Sequence, residues 1–328
     1  DRCLIRSLPA AESHRWDAFV AAHPGGTPYH LSNWGTFIEE AFPHIKGQSL
    51  IVEDKSTGEI QAGLPLYLAK SRILGARLVS SPMATLGGAL TTAAGDLKLL
   101  LDAATERSTS LGGIRVEIRG IRTPIDDPAG AFEPSGRHWH HYVELPHDAT
   151  DLRRGFTKGV RHSLKKAAKA GVDVVEMDGE KMIHEFAAMH HQGRRWLGLP
   201  MYPANYFEAL VRNMPSSIEI LGARSGGRVV ASLLTLELGE MVIYEHMADS
   251  IEGRAAGANH LLLSESMRRA VERGSRIFSL GRTAEDNQGL SQFKRSFGAR
   301  EESIYNYTYR FGARLPSKGA GSENGQVE

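Results

Sequence analysis

Hydrophobic and polar residues alternate along the first half of the chain in a way that predicts strands and helices in a definite order. The periodicity predicts a strand over Cys3 to Leu8, helices around Trp16 to Ala22 and Trp34 to Ala41, and a hairpin whose strands run over Ser49 to Glu53 and Ile60 to Leu68. This combination predicts an α/β fold with mixed sheets.

The second half of the chain repeats this order. A second hairpin is predicted with strands over Ile218 to Ala223 and Val229 to Leu238. In both halves a later helix ends at a glycine, Gly112 or Gly274, and leads into a strand, as left-handed caps of helices prefer. Repeated order together with repeated spacing favours a duplication over chance similarity.

The length of 328 residues agrees with two domains, each large enough to bury its own core. The boundary is predicted near Leu145-Pro146-His147-Asp148, where a strand over His141 to Leu145 gives way to a helix. This divides the chain into domains 1–147 and 148–315. Residues 316–328 are rich in Gly and Ser and have no periodicity, so we predict a disordered tail.

Composition limits the partners and the location of the protein. A content of 41% hydrophobic and 23% charged residues, with no run of about 20 apolar residues, predicts a soluble globular protein. Cys3 is the only cysteine, which excludes an internal disulfide and a cysteine-cluster metal site. The net charge is +1, so DNA binding is not expected and any anion site must be local. No segment resembles a signal peptide, and we expect a cytoplasmic protein.

The densest positive charge lies in the segment from Leu152 to Gly171, which contains seven Lys or Arg and no acid. At 100° per residue its cations, including Arg161 and Lys165, form one stripe opposite an apolar stripe. Gly159 costs about 1 kcal/mol inside a helix, which favours a helix start near Val160. A solvated basic face and an anion-binding face both fit this pattern, and the absence of interleaved acids favours the anion site.

A short glycine motif follows the predicted strand from Met241 to Met247. Arg254, Gly257 and Asn259 stand where the acetyltransferase superfamily has its pyrophosphate loop, R/Q-x-x-G-x-G/A, before a helix whose free N–H groups attract phosphate. Asn259 departs from the Gly or Ala of that pattern, and an ordinary strand-to-helix turn fits equally well. These three residues are the candidate coenzyme A contacts.

A third segment carries the candidate catalytic group. A strand ends at Gly281-Arg282, and Lys294 follows in a short helix. A cation just beyond a strand end in an α/β sheet lies where such folds hold ligands, so Lys294 could stabilise an oxyanion and Arg282 could hold phosphate. Tyr244 and Glu245 on the preceding strand are candidates for assisting the nucleophile. Surface exposure of Lys294 and core packing of Tyr244 and Glu245 are the alternatives.

A metal site is not predicted. His184-Glu185 and the pair His190-His191 lack the i, i+4 histidine spacing of a zinc protease. His138, His140 and His141 alternate along a predicted strand, so at most two share a face and packing explains them better.

Several motifs, in the same order along nearly the whole chain, resemble FemAB-type transferases. They are W-x-x-x-I at Trp34 to Ile38, GLPLYL at Gly63 to Leu68, LVSSPMATLGGAL at Leu78 to Leu90, VRHSLKKAAKAGV at Val160 to Val172, and LGR with FKRSFGA between Leu280 and Ala299. The resemblance implies tandem GNAT-like acyl-CoA N-acyltransferase domains. It also implies that Lys294 takes part in transfer, and it makes Phe293 beside it, Arg161 and Trp34 candidate substrate contacts.

Two departures from the family pattern affect the choice of donor. Gly159 stands where the family often has Asn, and the long helical arm of some members is absent. The resemblance implies transfer of an acyl or aminoacyl group to an amine of a peptidoglycan or exopolysaccharide precursor linked to a nucleotide or lipid. Aminoacyl-tRNA and acyl-CoA are the candidate co-substrates, and no tightly bound cofactor is expected.

Two alternative functions stay open. One is acetyl-CoA-dependent acetylation of an exopolysaccharide or lipid sugar. The other is a non-catalytic module that binds tRNA or a precursor. The expected location is the cytoplasm, at or near the inner face of the membrane, with contact that is at most peripheral.

Overall fold

The computed structural model describes residues 3–71, 73, 75–122, 124–125, 131–177 and 179–311. The predicted disordered tail lies outside these residues. The helices are α1 Ser13–Ala22, α2 Ser32–Ala41, α3 Ala94–Ser110, α4 Lys158–Lys169, α5 Glu180–Trp196, α6 Tyr206–Asn213, α7 Ile251–Ala256, α8 Ala258–Glu272 and α9 Gln288–Arg295. The strands are β1 Cys3–Ser7, β2 Ile45–Gly47, β3 Leu50–Asp54, β4 Ile60–Leu64, β5 Leu66–Ser71, β6 Gly75–Ser80, β7 Leu90–Thr91, β8 Arg115–Ile121, β9 Phe132–Glu144, β10 Asp173–Glu176, β11 Ile218–Ser225, β12 Arg228–Leu238, β13 Met241–Asp249, β14 Ile277–Ala284 and β15 Arg300–Tyr309.

The strands form two sheets. The smaller sheet has the order β1-β3-β4-β7, and the larger has eleven strands in the order β10-β11-β12-β13-β14-β9-β15-β8-β6-β5-β2. Each half contributes one parallel pair, β6 with β8 and β13 with β14, joined through α3 and α8 respectively. Parallel neighbours require such a helical crossover. The repeated order predicted from the sequence is therefore present in the fold.

The glycine caps that marked the repeat are alike in the two halves. Gly112 after α3 has φ +89° and Gly274 after α8 has φ +90°. Glycine adopts this left-handed conformation without the steric cost that a Cβ brings. The two crossover helices thus end in the same way before entering β8 and β14.

One predicted strand is wrong. The structure divides the segment Ile60 to Leu68 at Pro65, so that β4 belongs to the small sheet and β5 to the large one. Proline has no N–H to donate to a strand ladder, and the chain changes partner sheets at that residue. The corresponding strand of the second half, β12, contains no proline and continues unbroken from Arg228 to Leu238.

The basic helix begins earlier than Val160. Helix α4 starts at Lys158 because the Thr157 side chain caps it, its Oγ1 accepting from the Val160 N–H at 3.5 Å. Capping contributes about 1 kcal/mol, which offsets the cost of Gly159 in the first turn. The chain before it, Ala149–Arg154, is a 3-10 helix and does not extend α4. Val160, Leu164 and Ala167 are buried, as the apolar stripe predicts.

The last strand that the structure describes joins the two halves. Strand β15 lies between β9 and β8, both of the first half, and β9 pairs on its other side with β14 of the second half. The boundary at 147/148 stays a prediction, with one sheet running across it. In the described part of the chain, no helix is both long and apolar enough to cross a bilayer.

Candidate active site

The candidate site lies where two parallel strands separate. Strands β13 and β14 pair only from Met241 to Ile243 with Ile277 to Ser279, although both continue for several residues. Backbone irregularities follow directly on each strand: β13 shifts register against β12, and β14 shifts register against β9 around Gly281, which has φ +73°. Such bulges bend strands and re-aim side chains. The resulting gap opens into a cleft of about 430 Å³.

Glu245 is the extra residue of the bulge in β13. Leu234 pairs with His246 and Thr235 with Tyr244, which leaves Glu245 between them without a partner on β12. Its side chain is only 8% exposed and lines the cleft. Burial raises the pKa of Glu245 to about 7, although a hydrogen bond and the nearby Arg282 charge act in the opposite direction. A carboxyl group with this pKa can exchange a proton at neutral pH.

A tyrosine of the first half holds this carboxyl group. The Tyr29 hydroxyl donates to Glu245 Oε2 at 2.5 Å, and Tyr29 is itself buried. Thr85, also of the first half, hydrogen-bonds the Tyr29 hydroxyl and lines the cleft. The site is therefore built from both halves of the chain. Tyr29 and Thr85 could not be predicted as site residues, because no local sequence pattern connects them to β13.

Lys294 enters the cleft from α9. It is 4% exposed, and its Nζ donates to the carbonyl oxygens of Gly281 at 3.1 Å and Arg282 at 2.9 Å. The two carbonyls fix the amine and leave its third donor position available. Burial lowers the pKa of Lys294 to about 7. The alternative of a surface lysine is therefore wrong, because the side chain is buried and its amine is fixed by two carbonyls of β14.

Arg282 and Tyr244 line the same cleft. Arg282 is exposed, and its side chain makes no hydrogen bond or ion pair among the described residues, so it is free to meet an anion. Burial raises the pKa of Tyr244, which keeps its hydroxyl protonated at neutral pH. Tyr244 can therefore donate a proton but cannot act as a base there, and it also packs against the large apolar cluster behind the sheet.

The corresponding gap in the first half is filled by the chain itself. Strands β6 and β8 also pair over three residues, from Arg77 to Val79 and from Arg115 to Glu117. Beyond them, a Cβ at Gly120 would come within 2.3 Å of the Thr85 carbonyl oxygen. The segment around Thr85 therefore occupies the position beside β8 that corresponds to the open gap between β13 and β14.

An aromatic wall that the sequence analysis missed closes one side of the cleft. Tyr202 stacks on Tyr206 at 4.2 Å between ring centroids, and the Arg194 guanidinium lies 4.1 Å from the centre of the Tyr202 ring. The Tyr206 hydroxyl hydrogen-bonds His246 Nε2 at 3.2 Å. Burial lowers the pKa of His246, which keeps this ring neutral beside Glu245.

Arg161 and Lys165 do not line the cleft. Both are exposed on α4, where Arg161 Nη1 donates to the carbonyl oxygen of Phe156. Their predicted contact with substrate phosphate stays a prediction, for a surface outside the cleft. Helix α4 packs against α8, so the basic face is attached to the same structural unit as β13 and β14.

Trp34 is a packing residue in the structure, which corrects its prediction as a substrate contact, whereas the prediction for Phe293 stays a prediction. Trp34 is fully buried, and its indole N–H donates to the Pro82 carbonyl at 3.3 Å, so it has no surface for a substrate. Phe293 is partly buried and packs edge-on against His260 and Phe297. The two neighbours thus differ, since Lys294 lines the cleft and Phe293 packs against the apolar cluster without lining the cleft.

The predicted pyrophosphate loop is already engaged within the protein. Arg254 makes a two-point contact with Asp249, at 2.6 and 3.1 Å, and Asn259 donates to the same carboxylate. Gly257 has φ +82°, and a Cβ there would lie 2.8 Å from the Ser163 carbonyl oxygen of α4. Arg254 lines the cleft, whereas Gly257 and Asn259 do not. The start of α8 is therefore packed closely against α4.

We expect replacement of Gly257 by alanine to destabilise the protein more than replacement of Gly274. Both glycines have left-handed backbones, where an L residue costs about 1–2 kcal/mol. A Cβ at Gly274 meets nothing within 4 Å, whereas at Gly257 it meets the backbone of α4. Urea unfolding of Gly257→Ala and Gly274→Ala measures the difference. Equal losses would contradict a close approach of α4 to α8.

Among the described residues, no group of three or more His, Cys, Asp or Glu is arranged to hold a metal ion. His140 and His141 instead make separate contacts, with Glu302 at 2.7 Å and Glu301 at 2.8 Å.

Comparison with known proteins identifies the fold. Residues 154–295 match the model of the acetyltransferase (GNAT) domain, the half that contains the open cleft. FemX has a similar structure, with a TM-score of 0.74 and 15% identity over 94% of this chain and 97% of that one. No curated protein matches the sequence.

Two further structures share the fold over most of their length. L-PGS from Bacillus licheniformis has a TM-score of 0.56 and 16% identity, over 85% of this chain and 91% of that one. A tandem GNAT protein from the clavulanic acid biosynthesis pathway has a TM-score of 0.55 and 15% identity, over 95% of this chain and 100% of that one. The prediction of tandem GNAT-like halves is confirmed, and the domain match confirms the prediction of an acyltransferase. Residues 154–295 thus match the GNAT acetyltransferase domain, in a chain with the fold of FemX that the resemblance to FemAB-type transferases implied.

Proposed function

We propose that the protein transfers an aminoacyl group from an activated donor to an amine of a cell-envelope precursor linked to a lipid or a nucleotide. The observation that carries the proposal is that one cleft contains both a group that can accept a proton and a group that can stabilise an oxyanion. Lys294 is a buried cation held at a strand end, and Glu245 is a buried carboxyl group that can accept a proton at neutral pH. Acyl transfer to an amine requires both groups.

In the proposed reaction the amine attacks the carbonyl carbon of the donor ester. A C–N bond forms while the amine proton passes to the Glu245 carboxylate. The carbonyl oxygen becomes an oxyanion, which the Lys294 ammonium stabilises with its free N–H. The tetrahedral intermediate then collapses, the C–O bond of the ester breaks, and the leaving oxygen takes up the proton. Arg282, which has no partner of its own in the described structure, holds a phosphate of the donor or the precursor.

The basic face of α4 supports an anionic co-substrate. Arg161 and Lys165 are exposed there, and the helix contains no acidic residue. Their charges would attract the phosphates of a tRNA end or of a nucleotide- or lipid-linked precursor. Action in the cytoplasm, with peripheral contact at the inner face of the membrane, belongs to the same proposal.

Acetyl-CoA-dependent acetylation of an envelope sugar is the second candidate. The match to the GNAT acetyltransferase domain favours it, since acyl-CoA is the usual donor of such domains. The packing of the Arg254 to Asn259 loop argues against it. Arg254 is neutralised by Asp249, and α4 covers the backbone at Gly257, where the pyrophosphate would be expected.

We expect a product only with aminoacyl-tRNA in a comparison of donors. Purified protein is incubated with nucleotide-linked and lipid-linked precursors, either with a mixture of aminoacyl-tRNAs or with acetyl-CoA, and the precursors are analysed by mass spectrometry. The added mass identifies the transferred group. A precursor that gains an acetyl group from acetyl-CoA, and nothing from the tRNA mixture, would overturn the aminoacyl proposal and establish the second candidate.

A further inference from the structure

The mouth of the active-site cleft is lined by large apolar side chains that are exposed. They are Met83 at 41% exposure, Trp196 at 55%, Leu197 at 73%, Leu199 at 45% and Leu290 at 39%, and we call them the apolar rim. Exposed large apolar side chains elsewhere in the described chain, such as Leu4 and Ile251, do not line this cleft. Apolar surface gathered at one site on a protein marks binding of an apolar group.

Three separate segments supply the apolar rim. Met83 comes from the chain after β6 in the first half, Trp196 to Leu199 from the end of α5, and Leu290 from α9. Met83 has φ +68°, a left-handed conformation that is unfavourable for a residue with a Cβ. Strained residues concentrate at ligand sites, where the surrounding structure maintains them. Because three separate segments bring apolar side chains to the same cleft, chance exposure of single residues does not explain the rim.

Hydrogen bonds within the segment hold the backbone that carries Trp196, Leu197 and Leu199. Arg194 Nε donates to the Pro200 carbonyl at 2.6 Å, and the Leu199 N–H donates to the Arg194 carbonyl at 3.0 Å. The N–H groups of Leu197 and Gly198 are bonded to carbonyls of the last turn of α5. The N–H groups of Leu197, Gly198 and Leu199 are thus bonded within the segment, and its apolar side chains line the cleft.

We propose that the apolar rim binds the transferred acyl group and selects one with a bulky hydrocarbon side chain, at least as large as that of leucine. The rim shares its cleft with Lys294, which contacts the reacting carbonyl in the proposed function, on which this inference rests. An acyl side chain is bonded next to that carbonyl. The lipid of a precursor is separated from the accepting amine by its phosphate and sugar groups, so the geometry favours the acyl group as occupant.

The preference is measured first by binding, without turnover. The probes are leucyl and glycyl groups joined by a stable amide to 3′-amino-3′-deoxyadenosine, which represents the end of a charged tRNA. We expect the leucyl probe to bind about tenfold tighter than the glycyl probe, as hydrophobic pockets discriminate by such factors. Binding is followed through tryptophan fluorescence, because Trp196 lies in the rim. Equal affinity of the two probes would overturn the proposal.

Two matched variants assign the preference to the rim. Leu197→Ser should remove most of the tenfold difference and leave glycyl binding unchanged, whereas Ile251→Ser, at 67% exposure outside the cleft, should retain it. If Leu197→Ser keeps the full preference, or instead only changes the oligomeric state, the apolar rim is not an acyl subsite and the proposal fails.

Failure of the donor and failure of the subsite give different results. In one case the protein uses no aminoacyl donor but turns over hexanoyl-CoA with a kcat/KM at least tenfold above that of acetyl-CoA, and Leu197→Ser removes this difference. The aminoacyl proposal then fails and the subsite stands. If aminoacyl donors are used with glycyl and leucyl groups at equal kcat/KM, the proposed function stands and the subsite fails.

Discussion

Replacement of Lys294 by methionine is expected to lower kcat by about 10²–10³-fold, because removal of one oxyanion donor typically has an effect of this size. Methionine approximates the length of the lysine side chain but has no charge and no N–H. Donor binding should change little, since Arg282 and the apolar rim remain. The measurement is steady-state acyl transfer together with donor affinity. A variant that loses binding but turns over bound donor normally would contradict the role of Lys294.

A surface lysine provides the control for this variant. Lys181→Met removes an exposed cation outside the cleft and should leave kcat unchanged. Removal of Lys294 also leaves the Gly281 and Arg282 carbonyls without their donor, so thermal unfolding must accompany the kinetics. Loss of turnover by a folded Lys294→Met protein that still binds donor would also eliminate a purely binding role for the chain.

Replacement of Glu245 by glutamine is expected to lower kcat by about 10²–10⁴-fold and to change the pH profile. In the wild type, Glu245 must be ionised and Lys294 protonated, and the pKa of each is about 7. We therefore expect kcat/KM to form a bell with its maximum near pH 7, falling on the acidic side through Glu245 and on the basic side through Lys294. The glutamine variant should lose the acidic limb only. An unchanged acidic limb would assign it to another group.

Glutamine keeps the contact with Tyr29, because its carbonyl oxygen can accept from the tyrosine hydroxyl as Glu245 Oε2 does. The structural change is therefore small, and Tyr29→Phe serves as the matched partner variant. Tyr29→Phe should leave the acidic limb in place but raise its apparent pKa, because the hydrogen bond from Tyr29 favours the ionised form of Glu245.

The same carboxyl group makes stability depend on pH. Its pKa rises from an ordinary 4.5 to about 7 on folding, so the folded state binds the proton more tightly. The contribution of Glu245 to the free energy of unfolding should fall by up to about 3 kcal/mol as the pH rises from about 4.5 through 7. Buried histidines with lowered pKa values, such as His246, act in the opposite direction in this range, so the effect is measured as a difference from a variant that keeps them. Glu245→Gln has no such titration. Measured by urea unfolding, the free energy of unfolding of the variant relative to that of the wild type should therefore be higher at pH 8 than at pH 5.

Parts of the site could be predicted from the sequence because they depend on position along a single element. Arg282 lies near the end of β14, Lys294 follows that strand, and Glu245 lies within β13, so strand assignment alone brings them to one edge of the sheet. Trp34 shows the limit of this approach. A motif position identified it as a substrate contact, but its burial depends on packing between α2 and the rest of the first half, which a local pattern does not contain.

The remaining features depend on contacts between distant residues. Tyr29 and Glu245 are 216 residues apart, and their hydrogen bond exists because the two halves share one sheet. The direction of the Glu245 side chain depends on a register shift in β13 that alternation of apolar residues does not indicate. Trp196 to Leu199 lie beyond the periodic part of α5, so they have no predicted face, and only the folded chain brings them to Met83.

The position of β15 has a consequence for synthesis on the ribosome. Its residues, Arg300–Tyr309, are among the last described residues to leave the exit tunnel, yet they fill the gap between two strands of the first half. Until then β8 and β9 present open edges, to which other chains could add. Because β8 and β9 lack this partner strand during most of synthesis, we expect the nascent first half to bind chaperones that shield unpaired strands.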